Sequence, residues 1–211
     1  MRKKIRDFVD QTTYRKGVVT VRNCFSEGDD HRKIAGRELY RQIKKSITLS
    51  TPGGDIVTDV TIIYRDEEEY SDGEKREGPS VFVSIVYDGT NFVGEGKDYL
   101  WEDAFADLQK KLPGDVRIKC CLTCRYGNMC PVGDVPGELF CMKDVTVKQK
   151  SDLFFYTEDQ QERDKRSRED TDLCECYCEQ SDQYYTYNDY LYYLQRSFDT
   201  RTGAPKDDRA N

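Results

Sequence analysis

The spacing Cys121-Leu-Thr-Cys124, then Cys130, then Cys141, reads C-x2-C-x5-C-x10-C. Two thiols on one tight turn reach a single metal ion together, and a closed structural zinc site takes four such soft ligands. Turn residues separate the donors: Gly127-Asn128 lies between Cys124 and Cys130, and residues 131–137 lead into Glu138-Leu-Phe-Cys-Met142, which reads as a short returning strand. The spacing therefore predicts Zn2+ held by Cys121, Cys124, Cys130 and Cys141. Cys174, from Cys174-Glu-Cys176-Tyr-Cys178, is the substitute ligand if Cys130 points away.

Other uses of the thiols compete with this one. A disulfide framework suits an oxidising compartment, but the basic start Met1-Arg-Lys-Lys-Ile-Arg6 is followed by no apolar signal region, and nine cysteines cannot all pair within one chain. The expected location is the cytoplasm. Thioredoxin-like chemistry at Cys121 and Cys124 needs the pair at a helix N-terminus and leaves the neighbouring cysteines unexplained. Cys24 and Cys120 read as buried thiols acting as small hydrophobes. The surplus cysteines make an iron–sulfur cluster, passing electrons to a partner, the alternative to zinc.

Histidine occurs once, at His31, in a polar Asp-Asp-His-Arg run that reads as a surface turn. This removes the HExxH metalloprotease pattern and leaves one candidate for any Ser-His or Cys-His pair. Gly89-Thr-Asn-Phe-Val-Gly94 has the first spacing of a phosphate loop but lacks the Lys-Ser/Thr that must follow it. No catalytic residue is expected.

The charge is unevenly spread. Residues 1–50 hold thirteen Lys/Arg against six Asp/Glu, while the chain as a whole carries −7. An acidic whole disfavours general nucleic-acid binding, and the basic first quarter leaves a local contact open, with Arg125-Tyr126 as a possible stacking element. Mean hydropathy is low at −0.84, yet 15 Tyr and 9 Phe supply apolar area. No apolar run is long enough to span a bilayer.

Along the chain, residues 1–10 read as a short helical start, 17–25 as a strand, and 36–45 as a helix on the four-residue steps Leu39, Ile43 and Ile47. Alternation predicts strands over 55–64 and 80–87; Asp88-Gly89 turns into a third over 90–95. Leu100, Ala104, Leu108 and Leu112, with Trp101 and Phe105 beside them, make one apolar helical stripe over 97–112, ended by Pro113-Gly114. Residues 115–120 then deliver the chain into the cysteines as a strand.

The fold class is α+β: a small antiparallel sheet with one covering helix, followed by a Cys-rich metal-binding loop and C-terminal helices. The expected organisation is a basic α/β segment over 1–54, a β-β-β-α-β layer over 55–120, a Cys-rich helical region over 121–198 and a disordered tail over 199–211. Within the third part, Ser151-Asp152 caps a short helix. The charged run 158–172 makes a largely solvated helix held by pairs such as Glu162–Arg166, and Asn188 caps a helix through 198.

Three stretches resemble known families. C-x2-C-x5-C is similar to part of the auxiliary iron–sulfur motif of SPASM-type domains, where the next cysteine comes sooner than Cys141. Residues 81–112, with Asp88-Gly89 and Gly94-Glu-Gly96, resemble the antitoxin half of HicA/HicB-type pairs, which implies a local fold and an antitoxin-like regulator. Cys-Leu-Thr-Cys-Arg-Tyr-Gly-Asn-x-Cys-Pro with the downstream Tyr-Tyr-Thr-Tyr-Asn-Asp-Tyr resembles a group of uncharacterised bacterial Cys-rich proteins, implying a bacterial cytosolic protein with no assigned activity.

The tail supplies the last expectation. Residues 181–193 contain six tyrosines. Tyrosine offers large contact area at small entropic cost and keeps a polar tip, so Tyr184, Tyr185 and Tyr187 are the expected contact residues for another protein.

Overall fold

The computed structural model describes residues 12–15, 18–21, 30–34, 37–65, 79–131 and 139–195, with side chains from Gln42 onward. The helical start over 1–10, Cys24, most of the acidic loop before Pro79, most of the 131–137 loop, the stretch beyond Gln195 and the tail over 199–211 lie outside the described residues.

The first strands, β1 (Thr12–Arg15) and β2 (Val18–Val21), pair as a hairpin. Next come β3 (Asp30–Ile34), β4 (Arg37–Thr51), β5 (Gly54–Arg65), β6 (Ser80–Tyr87) and β7 (Thr90–Lys97), which form one antiparallel sheet in sequence order. The short β8 (Arg117–Lys119) returns to pair with β4 at Thr48–Ser50. The hairpins follow from local chemistry. Asp88 and Gly89 take positive φ of 47° and 71°, the left-handed pair that a two-residue turn between twisted strands requires.

Three expectations are corrected here. Residues 37–45, the described part of the expected helix, are strand. Leu39, Ile43 and Ile47 sit four apart, but four is also an even number, so the same residues share one face of a strand. Pairing of β4 with β5 along its whole inner edge, from Tyr40↔Arg65 to Thr51↔Gly54, overrides the weak helical signal. His31 is likewise not in a turn but on β3, opposite Arg41. β4 and β5 form one hairpin, so the boundary expected at residue 54 falls inside it.

Helix α1 (Trp101–Lys111) lies across β6 and β7. Ala104, Phe105, Leu108 and Leu112 from the helix meet Val60, Ile62, Val81, Val83 and Ile85 from the strands in the main core. The approach is close because β7 presents glycines: a Cβ at Gly94 would stand 2.0 Å from the Ala104 carbonyl oxygen, and one at Gly96 2.1 Å from that of Leu100. Acidic Glu102 and Asp103 at the helix start and Lys110 and Lys111 at its end suit the macrodipole. Gln109, buried, ties the helix to β8: its Nε2 donates to the Val116 carbonyl at 2.8 Å and its Oε1 accepts from Ile118 N–H at 2.8 Å.

The remainder forms a small second layer. β9 (Gly127–Met129), β10 (Leu139–Cys141) and β11 (Ser167–Arg168) make a three-stranded sheet in the order β11-β10-β9. A 3-10 turn (Lys150–Leu153), α2 (Phe154–Glu158) and α3 (Gln160–Arg166) pack beside it, and α4 (Tyr190–Gln195) packs on α1. Ser151 does not cap the helix as expected but lies inside the 3-10 turn, where Asp152 Oδ2 accepts from the Lys148 and Gln149 N–H groups, and α2 begins after Leu153 with no side-chain cap. The expected Glu162–Arg166 pair forms at 2.8 Å, but Arg166 is buried rather than solvated. Its guanidinium also binds Asp144 at 2.5 and 3.1 Å and the Cys141 carbonyl at 3.2 Å, which holds Asp144 down to about pKa 2. Among the described residues, no helix is long and apolar enough to cross a membrane.

Candidate functional site

Strand β8 delivers the chain into a compact turn. Cys124 N–H donates to the Cys121 carbonyl at 3.2 Å, and Gly127 N–H donates to the Cys124 carbonyl at 2.9 Å. Gly127 is glycine for space: a Cβ there would stand 2.0 Å from the Cys121 carbonyl oxygen. Thr123 locks the start of the turn, donating to the Ile118 carbonyl at 2.9 Å while its hydroxyl stands 3.2 Å from the Tyr177 phenol oxygen.

The second cysteine group lies over this turn. Cys121 N–H donates to Asp172 O at 2.6 Å, and Arg125 N–H to Cys178 O at 2.8 Å. Between those anchors, residues 172–178 make an exposed turn, with Tyr177 N–H donating to Cys174 O at 3.0 Å. Cys174, Cys176 and Cys178 are thus on turn and coil, not on one helix. Lys143 Nζ stands 3.7 Å from the Cys176 sulfur. Cys141 ends β10 opposite Gly127.

The thiols expected to act together are distributed as follows. Cys121 and Cys124 share the turn. Cys124 feels Cys141 and Cys174 electrostatically, and Cys121 feels Cys120, Cys124 and Cys174. Cys130 packs with Phe140, Met142 and Leu153 in a second apolar cluster. Cys120 is wholly buried in the main core, as a small hydrophobe, and burial pushes its thiol up to about 12. Among the described residues, no three His, Cys, Asp or Glu side chains are gathered closely enough to hold a metal ion.

The turn does not suit thioredoxin-like chemistry. It follows a strand but opens no helix, and burial above all raises the Cys121 and Cys124 thiols, where a reactive cysteine needs its pKa lowered.

Sequence reading missed the side-chain amides that bind the C-terminal segment to the cysteine turn. Gln180 Nε2 donates to the Leu122 carbonyl at 3.0 Å. Asn188 Nδ2 donates to the same carbonyl at 2.7 Å and to that of Gly127 at 3.2 Å, while its Oδ1 accepts from Tyr190 N–H at 2.9 Å. Asn128 Oδ1 accepts from Tyr187 N–H at 2.8 Å. Only the capping role of Asn188 had a sequence signal.

Beside the turn runs an open groove of about 390 Å³. It is lined by Arg125, Tyr126 and Asn128, the stretch from Met142 to Val147, and Tyr184 and Tyr185. The Arg125 guanidinium packs 3.3 Å from the Tyr184 ring centroid and 4.9 Å from that of Tyr126. Tyr184 and Tyr185 are exposed, at 50% and 41%; Tyr187 is half-buried against the second apolar cluster, and Tyr190 is core. The six tyrosines therefore divide between packing and surface.

Compared with protein-family models, with curated proteins and with solved structures, the chain matches none.

Proposed function

We propose that this chain is a non-enzymatic interaction module, working in the cytoplasm, whose contact surface is the groove between Arg125 and Tyr185 and whose shape depends on a thiolate-bound zinc. The observation that carries the reading is that the segments lining the groove are hydrogen-bonded to the residues that directly follow the cysteine turn. Thr186 Oγ1 donates to the Arg125 carbonyl at 2.9 Å, and Met142 N–H donates to the Tyr126 carbonyl at 2.8 Å. Cys121 and Cys124 supply half of the ligand set. We take Cys141 and Cys174 as the remaining ligands, on their electrostatic influence on Cys124, with Cys130, packed in the second apolar cluster, as the competing donor. These thiols are not gathered closely enough in the structure to hold an ion, so binding would have to draw them together. The metal's binding free energy would then contribute to folding this layer. The groove's exposed tyrosines favour another protein as the partner.

Elemental mass spectrometry together with hydrogen exchange tests this. The expected result is close to one zinc per chain, with a chelator accelerating exchange at the amides of Met142 and Tyr187 while the β5–β6 amides stay protected. Iron with acid-labile sulfide, no metal, or unchanged exchange after zinc removal would contradict it.

A further inference from the structure

We propose that the groove recognises a carboxylate-bearing peptide segment, an acidic residue beside an apolar one, with Arg125 as the anion-binding group. This deepens the contact-surface reading above and rests on it. The groove is lined by three charged residues: Arg125, Lys143 and Asp144. Asp144 is already neutralised, held by both terminal nitrogens of Arg166 with Lys165 Nζ at 3.7 Å. Neither Arg125 nor Lys143 is in an ion pair among the described residues. The cleft is thus locally cationic on a chain of net charge −7.

Its chemistry points to a carboxylate rather than to a nucleic acid. A guanidinium lying over an aromatic ring is oriented by it and can offer N–H donors to a planar carboxylate at low entropic cost. The Tyr126 and Tyr184 rings that a base would use already carry Arg125 over one face each. Stable phosphate-backbone binding also takes a run of cations, where this cleft has two. Met142, Val145 and Val147 supply the apolar part of the lining. The volume is that of an ordinary small-ligand cleft, sufficient for a short segment and not for a folded surface.

The test is a titration of the isotope-labelled full chain, followed by amide NMR. The probes are the blocked peptide acetyl-Val-Glu-Leu-Asp-Val-amide, its Gln/Asn isostere, inorganic phosphate and hexathymidylate. The acidic peptide should shift the amides of Arg125, Lys143, Val145 and Tyr185, and R125Q should weaken it about tenfold, the loss of one charge-assisted hydrogen bond. K143Q should weaken it less. Both variants should keep the wild-type spectrum outside the groove, which separates lost recognition from lost folding. Equal binding of the isostere, unchanged affinity in R125Q, stronger shifts with phosphate or hexathymidylate, or no shift with any probe would overturn the proposal. Groove binding by the isostere alone would reject the carboxylate while leaving the contact surface standing. Acidic-peptide binding by a chain without zinc would reject the metal reading alone.

Discussion

Asp170 shows how one residue sets the pH response of the junction between the two layers. Its backbone is needed, because Leu122 N–H donates to its carbonyl at 3.1 Å, and that requirement places the carboxyl 1% exposed with no hydrogen-bond partner on either oxygen. Burial raises its pKa from 3.8 to about 7; Lys45 opposes the shift, and Glu102 and Glu169 add to it. The folded chain holds this proton to higher pH than the unfolded chain does. The group's contribution is therefore intact below about pH 4 and is lost as pH rises toward and through about 7. A shift of that size corresponds to a loss of ~4 kcal/mol at pH 8. D170N should accordingly raise the urea midpoint much more at pH 8 than at pH 4.5. Equal effects at both pH values in urea titrations would show that Asp170 is not protonated in the folded chain.

Among the elements, β7 and α1 depend on each other through two glycines. A side chain at Gly94 or Gly96 would run into helix backbone, which cannot rotate away, so the helix would have to lift from the sheet. G94A should cost about 3 kcal/mol, the upper end for overpacking, read as a lower denaturation midpoint at unchanged slope. G53A is the control: the nearest atom to its Cβ is the Thr51 hydroxyl at 3.7 Å, and its effect should be small. A neutral G94A would mean that α1 does not seat on β7 as described.

The pair β6–β7 and the helix after it were legible in the sequence, because alternation, Asp88-Gly89 and a single apolar stripe all agree. β4 was not, since residues four apart satisfy a helix and a strand alike, and only its partners decide. Arg166 sits in a run of charge that reads as solvated. The i,i+4 partner Glu162 was legible, but the burial of Arg166 also depends on Asp144 and the Cys141 carbonyl arriving from a segment more than twenty residues earlier, which no local pattern encodes.

For the whole molecule, the described chain is a sheet–helix body carrying a small layer whose segments are joined by few apolar contacts and many side-chain-to-backbone hydrogen bonds. Its second apolar cluster has four buried members, Cys130, Phe140, Met142 and Leu153. Leu122 and Leu139 tie the layer to the main core, and the proposed metal cross-link among its turns would add to what this small cluster supplies. The cysteine spacing made legible the shared turn of Cys121 and Cys124. That residues 172–178 fold back over residues 121–125 was not legible, because it is a contact between positions about fifty residues apart in sequence. The most direct test of the account is zinc-edge X-ray absorption on the purified full chain, beside the C174S and C130S variants. A shell of four sulfurs at about 2.3 Å is expected, kept in C130S and broken in C174S. A nitrogen- or oxygen-rich shell, an iron edge in place of zinc, or a four-sulfur shell that survives C174S and is lost in C130S would contradict it.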